Sequence, residues 1–146
     1  MKKIEHIGIA VKNLDASNQL FARLLGVEHY KIEEVESEGV RTSFFKVGEL
    51  KIELLEATRP DSPIAKFLEK RGEGVHHLAF EVADVSEALT DLTNKEFQPI
   101  TKIPKPGTDN KMIAFLHPTT TNGVLVEVCA DLTPGPSPSR YFGSEG

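Results

Sequence analysis

The chain has 146 residues and an ordinary globular composition, with 39% hydrophobic and 27% charged residues. Its net charge of −5, without any basic run, argues against a nucleic-acid partner, and its single cysteine, Cys129, excludes an internal disulfide framework. No apolar stretch is long enough to cross a membrane and no signal-peptide pattern is present, so we expect a cytoplasmic protein without a membrane partner.

The first half of the chain predicts a strand, a helix and three further strands. The segment IEHIGIAVKNL (4–14) alternates like a β-strand and leads into an amphipathic helix at 15–26, which ends at a glycine. A short strand is expected at about 28–35. The segment 39–57 predicts two strands that are joined by a tight turn.

A linker helix is predicted at about 61–71, because proline and serine open this segment and glycines follow it. The second half is expected to hold the same elements as the first, at 75–85, 86–97, 98–103 and 111–130. From residue 131 to residue 146 the chain is rich in proline, glycine and serine, which predicts a disordered tail.

The two halves are related by an internal repeat. The strand VHHLAFEVADV aligns with IEHIGIAVKNL and matches His77 to His6, an offset of 71 residues (77 − 6). The last strands, VLVEVCA and KIELLEA, match Glu127 to Glu53, an offset of 74 residues (127 − 53). A polar residue that recurs at matched places in both halves is a better candidate for function than one that occurs once.

The repeat predicts the fold class. One half alone would expose a sheet face, whereas two halves packed together form a continuous sheet. We therefore predict an α+β fold in which two pseudo-symmetric βαβββ modules form a curved sheet around a metal-binding cleft. The modules are expected at about 1–58 and 75–130, within a single domain that spans residues 1–130.

The repeated residues His6, Glu53, His77 and Glu127 are the candidate metal ligands. A lone histidine or glutamate on a strand is usually structural, but a pseudo-twofold axis would bring two matched pairs to one point. An ionised glutamate between apolar neighbours on a strand is costly to bury unless it is paired or binds a metal. Two imidazoles and two carboxylates suit a divalent ion such as Co, Mn, Ni, Fe or Zn.

Two further histidines have weaker claims to a functional role. Neighbouring residues on a strand point to opposite faces, so His76 is expected to point away from the cleft that His77 faces. His117 lies in FLHP, at the turn of a predicted hairpin. It would either satisfy backbone groups of the turn or line the rim of the cleft, and we take it as a candidate substrate-binding residue.

The polar loop KIPKPGTDNKM (102–112) contains three lysines and a glycine. It is either a solvated connection or an anion-contacting lip, in which Lys102, Lys105, Lys111 and free backbone N–H groups meet a phosphate or carboxylate. Lys105 and Lys111 are the candidate substrate-binding residues of this loop.

Three stretches, HIGIAVKNLD, FFKVGELKIELLEATRPDSPIAKFLEKRGEGVHHLAFEV and IAFLHPTTTNGVLVEV, cover nearly all of residues 4–128. In these stretches the chain resembles the vicinal-oxygen-chelate (glyoxalase) superfamily and, within it, the methylmalonyl-CoA epimerase family. The middle stretch is the most specific, because KIELLE, DSPIAKFLEKRGEG and HH occur together in the epimerases.

The resemblance implies an isomerase that interconverts (2R)- and (2S)-methylmalonyl-CoA through an enolate. It implies a divalent metal cofactor (Co, Mn, Ni or Zn) held by His6, Glu53, His77 and Glu127. Glu127 is expected to act as the main base and Glu53 as its acid–base partner on the opposite side of the substrate. An acyl-CoA substrate and a homodimer are also implied.

One departure from the family leaves a role open. Some members carry a second catalytic glutamate where this chain has Thr42, and a threonine cannot act as a general base. Either Glu53 or a water molecule would then take that role. Three other functions are alternative hypotheses for this protein. They are a glyoxalase I-type lyase, which the 59–77 segment disfavours, a metal-free antibiotic-binding protein, and an iron-dependent extradiol dioxygenase.

Overall fold

The computed structural model describes residues 1–132, so residues 133–146 of the predicted tail lie outside the described residues. The described part contains eight strands and three α-helices. In chain order they are β1 (Lys3–Ala10), α1 (Leu14–Leu25), β2 (Lys31–Val35), β3 (Val40–Val47), β4 (Leu50–Ala57), α2 (Pro63–Arg71), β5 (Gly74–Glu81), α3 (Val85–Asn94), β6 (Lys105–Pro106), β7 (Lys111–Leu116) and β8 (Val126–Asp131). No helix within residues 1–132 has the length and apolar character that crossing a bilayer requires.

All eight strands belong to one curled sheet with the order β2-β3-β4-β1-β5-β8-β7-β6. In each half the first strand pairs in parallel with the last, β1 with β4 and β5 with β8. The two halves meet at the antiparallel pair of β1 and β5 in the centre of the sheet. The predicted α+β fold of two βαβββ modules is therefore confirmed, whereas the exact domain bounds stay a prediction.

The alternation of side chains along β4 and β8 divides the core from the cleft. Leu54 of β4 packs in one buried cluster with Leu14 of α1, and Val128 of β8 packs in another cluster beneath α3. Because successive residues of a strand point to opposite faces, Glu53 and Glu127 are turned to the face that these helices leave open. The open face is the floor of the cleft.

Each helix begins at a side chain that satisfies a free backbone N–H group. The Oδ1 atom of Asn13 accepts from the N–H of Ala16 at 2.9 Å before α1. The same role falls to Ser62 before α2 and to Asp84 before α3. The predicted linker helix is present as α2, and its Ile64 packs against β1, β3 and β4 at one end of the cleft.

The prediction of a strand at 98–103 is wrong. There the structure has a single bridge between Pro99 and Leu116, and the edge strand β6 forms only later, over two residues. Proline lacks the N–H group that a strand contributes to the sheet. Pro99 lies within this segment and Pro104 directly follows it, so neither position can donate to a continuous ladder.

Candidate metal centre

The four residues that recur in both halves lie on the four central strands of the sheet. They are His6 of β1, Glu53 of β4, His77 of β5 and Glu127 of β8. Each side chain is buried, with between 2% and 6% of the residue exposed. Gly8 pairs with both Glu53 and His77, and Ala79, at the equivalent place in the second half, pairs with both His6 and Glu127. The backbone thus repeats the same arrangement on both sides of the pseudo-twofold axis.

Three of the four side chains converge closely. The Nε2 atoms of His6 and His77 are 3.0 Å apart. Oε1 of Glu127 lies 3.6 Å from Nε2 of His6 and 3.3 Å from Nε2 of His77. Glu53 approaches the other nitrogen of His6, with its Oε2 atom 3.2 Å from Nδ1. The geometry therefore gives a compact group of three, with Glu53 beside it.

The compact group has the donor chemistry and spacing of a metal site. Ligand atoms about 2.1 Å from one ion lie roughly 3.0–3.5 Å from each other at ordinary coordination angles. The three distances among His6, His77 and Glu127 are close to this range. Oε2 of Glu53 is buried and has no hydrogen-bond partner within residues 1–132. These observations fit a divalent cation bound by nitrogen and oxygen ligands.

The electrostatics of the cluster favour positive charge at the same place. Burial by itself would lower the pKa of His6, but the carboxylates of Glu53, Glu127 and Glu5 raise the pKa to about 10. Burial, with a further contribution from the charge of Glu127, raises the pKa of Glu53 to about 7. Burial and then the charge on His6 lower the pKa of His77, which keeps this ring neutral and able to donate a lone pair.

Two β-bulges add a second pair of residues to the site. Glu5 is an extra residue of β1 against β5, and His76 is an extra residue of β5 against β1. Oε1 of Glu5 accepts a hydrogen bond from Nδ1 of His6 at 2.6 Å. Nδ1 of His76 lies 2.9 Å from Nδ1 of His77, and both rings line the cleft. The prediction that His76 points away from the cleft is wrong, because the bulge interrupts the alternation on which it rested.

Gly8 makes room for one of the rings. A Cβ atom at this position would lie 2.2 Å from Cε1 of His77, closer than any real contact between such atoms. Only glycine allows the imidazole of His77 to cross β1 at this point. The sequence signal is a small residue two positions after each cleft histidine, Gly8 after His6 and Ala79 after His77.

The cleft is a cavity of about 320 Å³ with largely apolar walls, to which Leu55, Ile64 and Phe115 contribute. That size is within the range of small-molecule sites. Of the candidate substrate-binding residues, Lys105 lines the cavity and lies 3.6 Å from a carboxylate oxygen of Glu38.

The other two candidate substrate-binding residues, Lys111 and His117, do not line this cavity. Lys111 forms an ion pair with Asp131 at 2.6 Å. Nδ1 of His117 accepts a hydrogen bond from the N–H of Thr119 at 3.3 Å. His117 therefore satisfies a backbone group of the turn, which is one of the two roles predicted for it. A role for either residue in substrate binding stays a prediction.

Thr42 also faces the cleft. It lies on β3 beside β4, shares the face of Phe44 and Leu55, and is fully buried. Its Oγ1 atom has no hydrogen-bond partner among the described residues. A buried hydroxyl without a partner is costly, so this group is available to a molecule bound in the cleft.

The family model for the glyoxalase/bleomycin resistance protein/dioxygenase superfamily matches residues 5–115. The chain is 42% identical to YqjC, an uncharacterized protein of Bacillus subtilis, over 129 residues that cover 88% of this chain and 92% of the relative. It is 36% identical to the ethylmalonyl-CoA/methylmalonyl-CoA epimerase of Cereibacter sphaeroides over 128 residues, which cover 86% and 96% of the two chains.

The fold is also similar to that of solved epimerases. A variant of the methylmalonyl-CoA epimerase of Streptomyces coelicolor, in complex with 2-nitronate-propionyl-CoA, superposes with a TM-score of 0.86 at 38% identity. The match covers 92% of this chain and 99% of that chain.

Proposed function

Because the chain belongs to the glyoxalase/bleomycin resistance protein/dioxygenase superfamily, we propose that it is a metal-dependent epimerase of methylmalonyl-CoA. The relative from Cereibacter sphaeroides and the solved protein from Streptomyces coelicolor, which are matched over nearly their whole length, are epimerases that act on methylmalonyl-CoA. The observation that carries the proposal is the meeting of His6, His77 and Glu127, contributed by both modules, inside a buried cleft. The proposed reaction interconverts the (2R) and (2S) forms.

The proposed cofactor is a divalent ion, Co, Mn, Ni or Zn, held by His6, His77 and Glu127 with Glu53 as a fourth ligand. The compact spacing of the first three and the buried place of the Glu53 carboxylate beside His6 support this set. When bound, the cation would supply Lewis-acid stabilisation of the negative charge that develops on substrate oxygens.

The chain's own carboxylates would move the proton. Carbon 2 of methylmalonyl-CoA lies between a thioester carbonyl and a carboxylate, so loss of its proton gives an enolate. Glu127 takes the proton, and Glu53 returns one to the opposite face of the same carbon. One carboxyl group ends protonated and the other ionised, and exchange with solvent restores the starting state. Their placement on β8 and β4, which belong to opposite modules, supports access to both faces.

The cleft would hold the acyl end of the substrate. Its apolar walls exclude water from the reacting carbon, and Lys105 on the wall offers a positive charge to an anionic group of the substrate. A homodimer remains a proposal, which is supported by the half-exposed apolar side chains of Leu20 and Ile32 on the first module.

The test is proton exchange at carbon 2. Protein reconstituted with a divalent metal is incubated with methylmalonyl-CoA in heavy water, and the C2 proton is followed by NMR beside a sample treated with EDTA. We expect rapid exchange with scrambling of the C2 configuration, and its loss after EDTA treatment.

Absence of exchange in protein that holds its metal would overturn the epimerase proposal. Activity on a glutathione hemithioacetal in the same sample would then identify a glyoxalase I-type lyase, which uses similar proton chemistry.

A further inference from the structure

A series of buried and half-buried charged side chains connects the loop between β6 and β7 with the candidate metal centre. The carboxylate of Asp109 accepts from the ammonium of Lys51. The Nζ atom of Lys51 is also 2.5 Å from Oε2 of Glu5. The other oxygen of Glu5, Oε1, accepts from Nδ1 of His6 at 2.6 Å. Four residues from three separate segments are thereby joined end to end.

Burying this series of charged side chains is energetically unfavourable. Lys51 is 7% exposed and Glu5 is 5% exposed, and burying a charge is unfavourable unless it is paired and hydrogen-bonded. Apolar residues of similar size are often at least as stabilising as a buried ion pair. Hence fold stability alone does not explain why charges occupy these positions.

The backbone conformation places these charged side chains next to one another. The bulge in β1 turns Glu5 to the side of His6, and the parallel pairing of β1 with β4 sets Lys51 opposite His6. On the loop, Asp109 adopts a left-handed conformation, with φ of 59°. That conformation is uncommon for residues other than glycine, and from it the carboxylate reaches Lys31 and Lys51.

Asp109 fastens one module to the other. Its Oδ1 accepts from Nζ of Lys31 at 2.6 Å, while its other oxygen serves Lys51. Its backbone N–H donates to Oε1 of Glu33 at 3.0 Å. Asp109 belongs to the second module, whereas Lys31, Lys51 and Glu33 belong to strands of the first. We call this set of contacts the clasp.

The clasp holds one wall of the cleft. Lys105, Pro106, Gly107 and Thr108 line the cavity and lie just before Asp109 in the chain. The same carboxylate that fixes this wall therefore also fixes Lys51, and through it Glu5.

We propose that Lys51 and Asp109 are positioning residues, which hold Glu5 so that the ring of His6 presents Nε2 to His77 and Glu127. The inference rests on the proposed metal centre and adds to it a link between closure of the loop and preparation of His6. A carboxylate on the far nitrogen of a ligand histidine fixes the orientation of the ring. Here Lys51 fixes the carboxylate in turn, and the loop fixes Lys51.

The test uses Lys51→Met and Asp109→Asn in the full chain, with Lys3→Met as the matched control. Lys3 also lies on the sheet, but its ammonium is exposed, and among residues 1–132 its ion-pair partners are Glu49 and Glu81. Two quantities are measured: the dissociation constant for Co²⁺ by chelator competition, and the ¹⁵N shifts of the His6 ring in metal-free protein. Circular dichroism establishes that each variant is folded.

We expect both clasp variants to weaken Co²⁺ binding about tenfold or more, the range found for second-layer residues of metal sites. The His6 ring should show a changed or averaged ¹⁵N pattern in both, and Lys3→Met should leave both quantities unchanged. If the variants lower thermal stability yet keep wild-type Co²⁺ affinity and His6 shifts, the clasp is only a structural ion pair and the inference is overturned.

The outcomes separate this inference from the proposed function. Wild-type protein that binds Co²⁺ but exchanges no C2 proton would refute the epimerase while leaving the inference in place. If Lys51→Met does not fold, Asp109→Asn decides, because its side chain is 21% exposed and its loss leaves the β1–β4 pairing intact.

Discussion

His6 is held between carboxylates at both of its ring nitrogens. Glu5 and Glu53 approach Nδ1, at 2.6 Å and 3.2 Å, and Glu127 approaches Nε2 at 3.6 Å. A ring fixed in this way has little freedom to turn, so its Nε2 is already directed at His77. Contacts within the protein therefore fix this ring, and a pre-oriented ring lowers the free-energy cost of binding.

Replacing Glu127 by Gln should abolish C2 proton exchange while the fold is kept, because the amide fills the same space but cannot take a proton. A positioned general base contributes about 10²–10⁴-fold to rate, so we expect a loss of at least that order. Exchange is measured by NMR in heavy water, with Co²⁺ affinity recorded in parallel. Glu81→Gln on the neighbouring strand is the control, and near-wild-type exchange in Glu127→Gln would refute the role of this base.

A Gly8→Ala substitution should displace the ring of His77 and weaken metal binding, because the new methyl group would collide with Cε1 of that ring. Overpacking of this kind costs about 1–3 kcal/mol of folding free energy. Urea unfolding of Gly8→Ala, alone and combined with His77→Ala, measures the coupling. The second substitution should recover most of the lost stability. Equal losses in both backgrounds would show that the ring is not the obstacle.

Thr42→Val should leave the fold as stable as wild type or more stable, by about 1 kcal/mol, because it removes a buried hydroxyl that has no partner. Ser43→Ala is the matched comparison, since Oγ of Ser43 is equally buried but donates to Oδ1 of Asn18 at 2.5 Å. That variant should be destabilised. Urea unfolding of the metal-free proteins gives both values, and a similar loss in the two variants would contradict the assignment of Thr42.

Among the individual residues of the candidate site, the sequence could predict those that repeat in both halves, but not the residues that contact them. His6, His77, Glu53 and Glu127 stand out because the same side chain recurs at matched places in two halves. Glu5 and His76 do not match each other in type, and a bulge leaves no trace in the period of a strand. Lys51 and Asp109 meet across 58 residues of sequence, so only the folded chain brings them together.

Among the elements, α2 is the helix that touches the cleft, through Ile64. It begins at Ser62, whose buried Oγ accepts from the N–H of Ala65 at 3.0 Å. The helix α3 begins in the same way at Asp84, with a distance of 2.9 Å to the N–H of Glu87, but lies on the other face of the sheet. The two caps therefore fill the same position in their helices, one beside the cleft and one away from it.

Ser62→Ala and Asp84→Ala should each lower the free energy of unfolding by about 1 kcal/mol, the usual effect of losing a capping side chain. Only Ser62→Ala should also raise KM for methylmalonyl-CoA, since fraying of α2 would move a wall of the cleft. Urea unfolding and steady-state kinetics measure the two effects. A KM that changes equally in both variants would remove the special role of α2.

The helices and most strands could be predicted because capping residues and side-chain period mark them locally. The predicted segments 15–26 and 61–71 correspond to α1 at Leu14–Leu25 and α2 at Pro63–Arg71. The segment 98–103 was expected to be a strand because the first half has one at the matching place, yet Pro99 within it and Pro104 after it lack the donors that pairing needs. A repeat in the sequence does not report on lost hydrogen-bond donors, so that prediction failed.

At the scale of the whole molecule, the repeat in the sequence becomes a pseudo-twofold axis through the pair of β1 and β5. Each module contributes one histidine and one glutamate, and neither module holds all four of the proposed ligands. Folding of both halves into one sheet is therefore a condition for the proposed site. The clasp at Asp109 adds a second connection between the halves, away from the pair of β1 and β5.

A metal centre shared by the two modules can be located by anomalous diffraction from crystals of the protein loaded with one equivalent of Co²⁺. We expect a single strong peak in the cleft, within coordination distance of His6, His77 and Glu127. A peak at another place, or no peak in the cleft of protein shown to carry cobalt, would contradict the claim that the two modules share one metal centre.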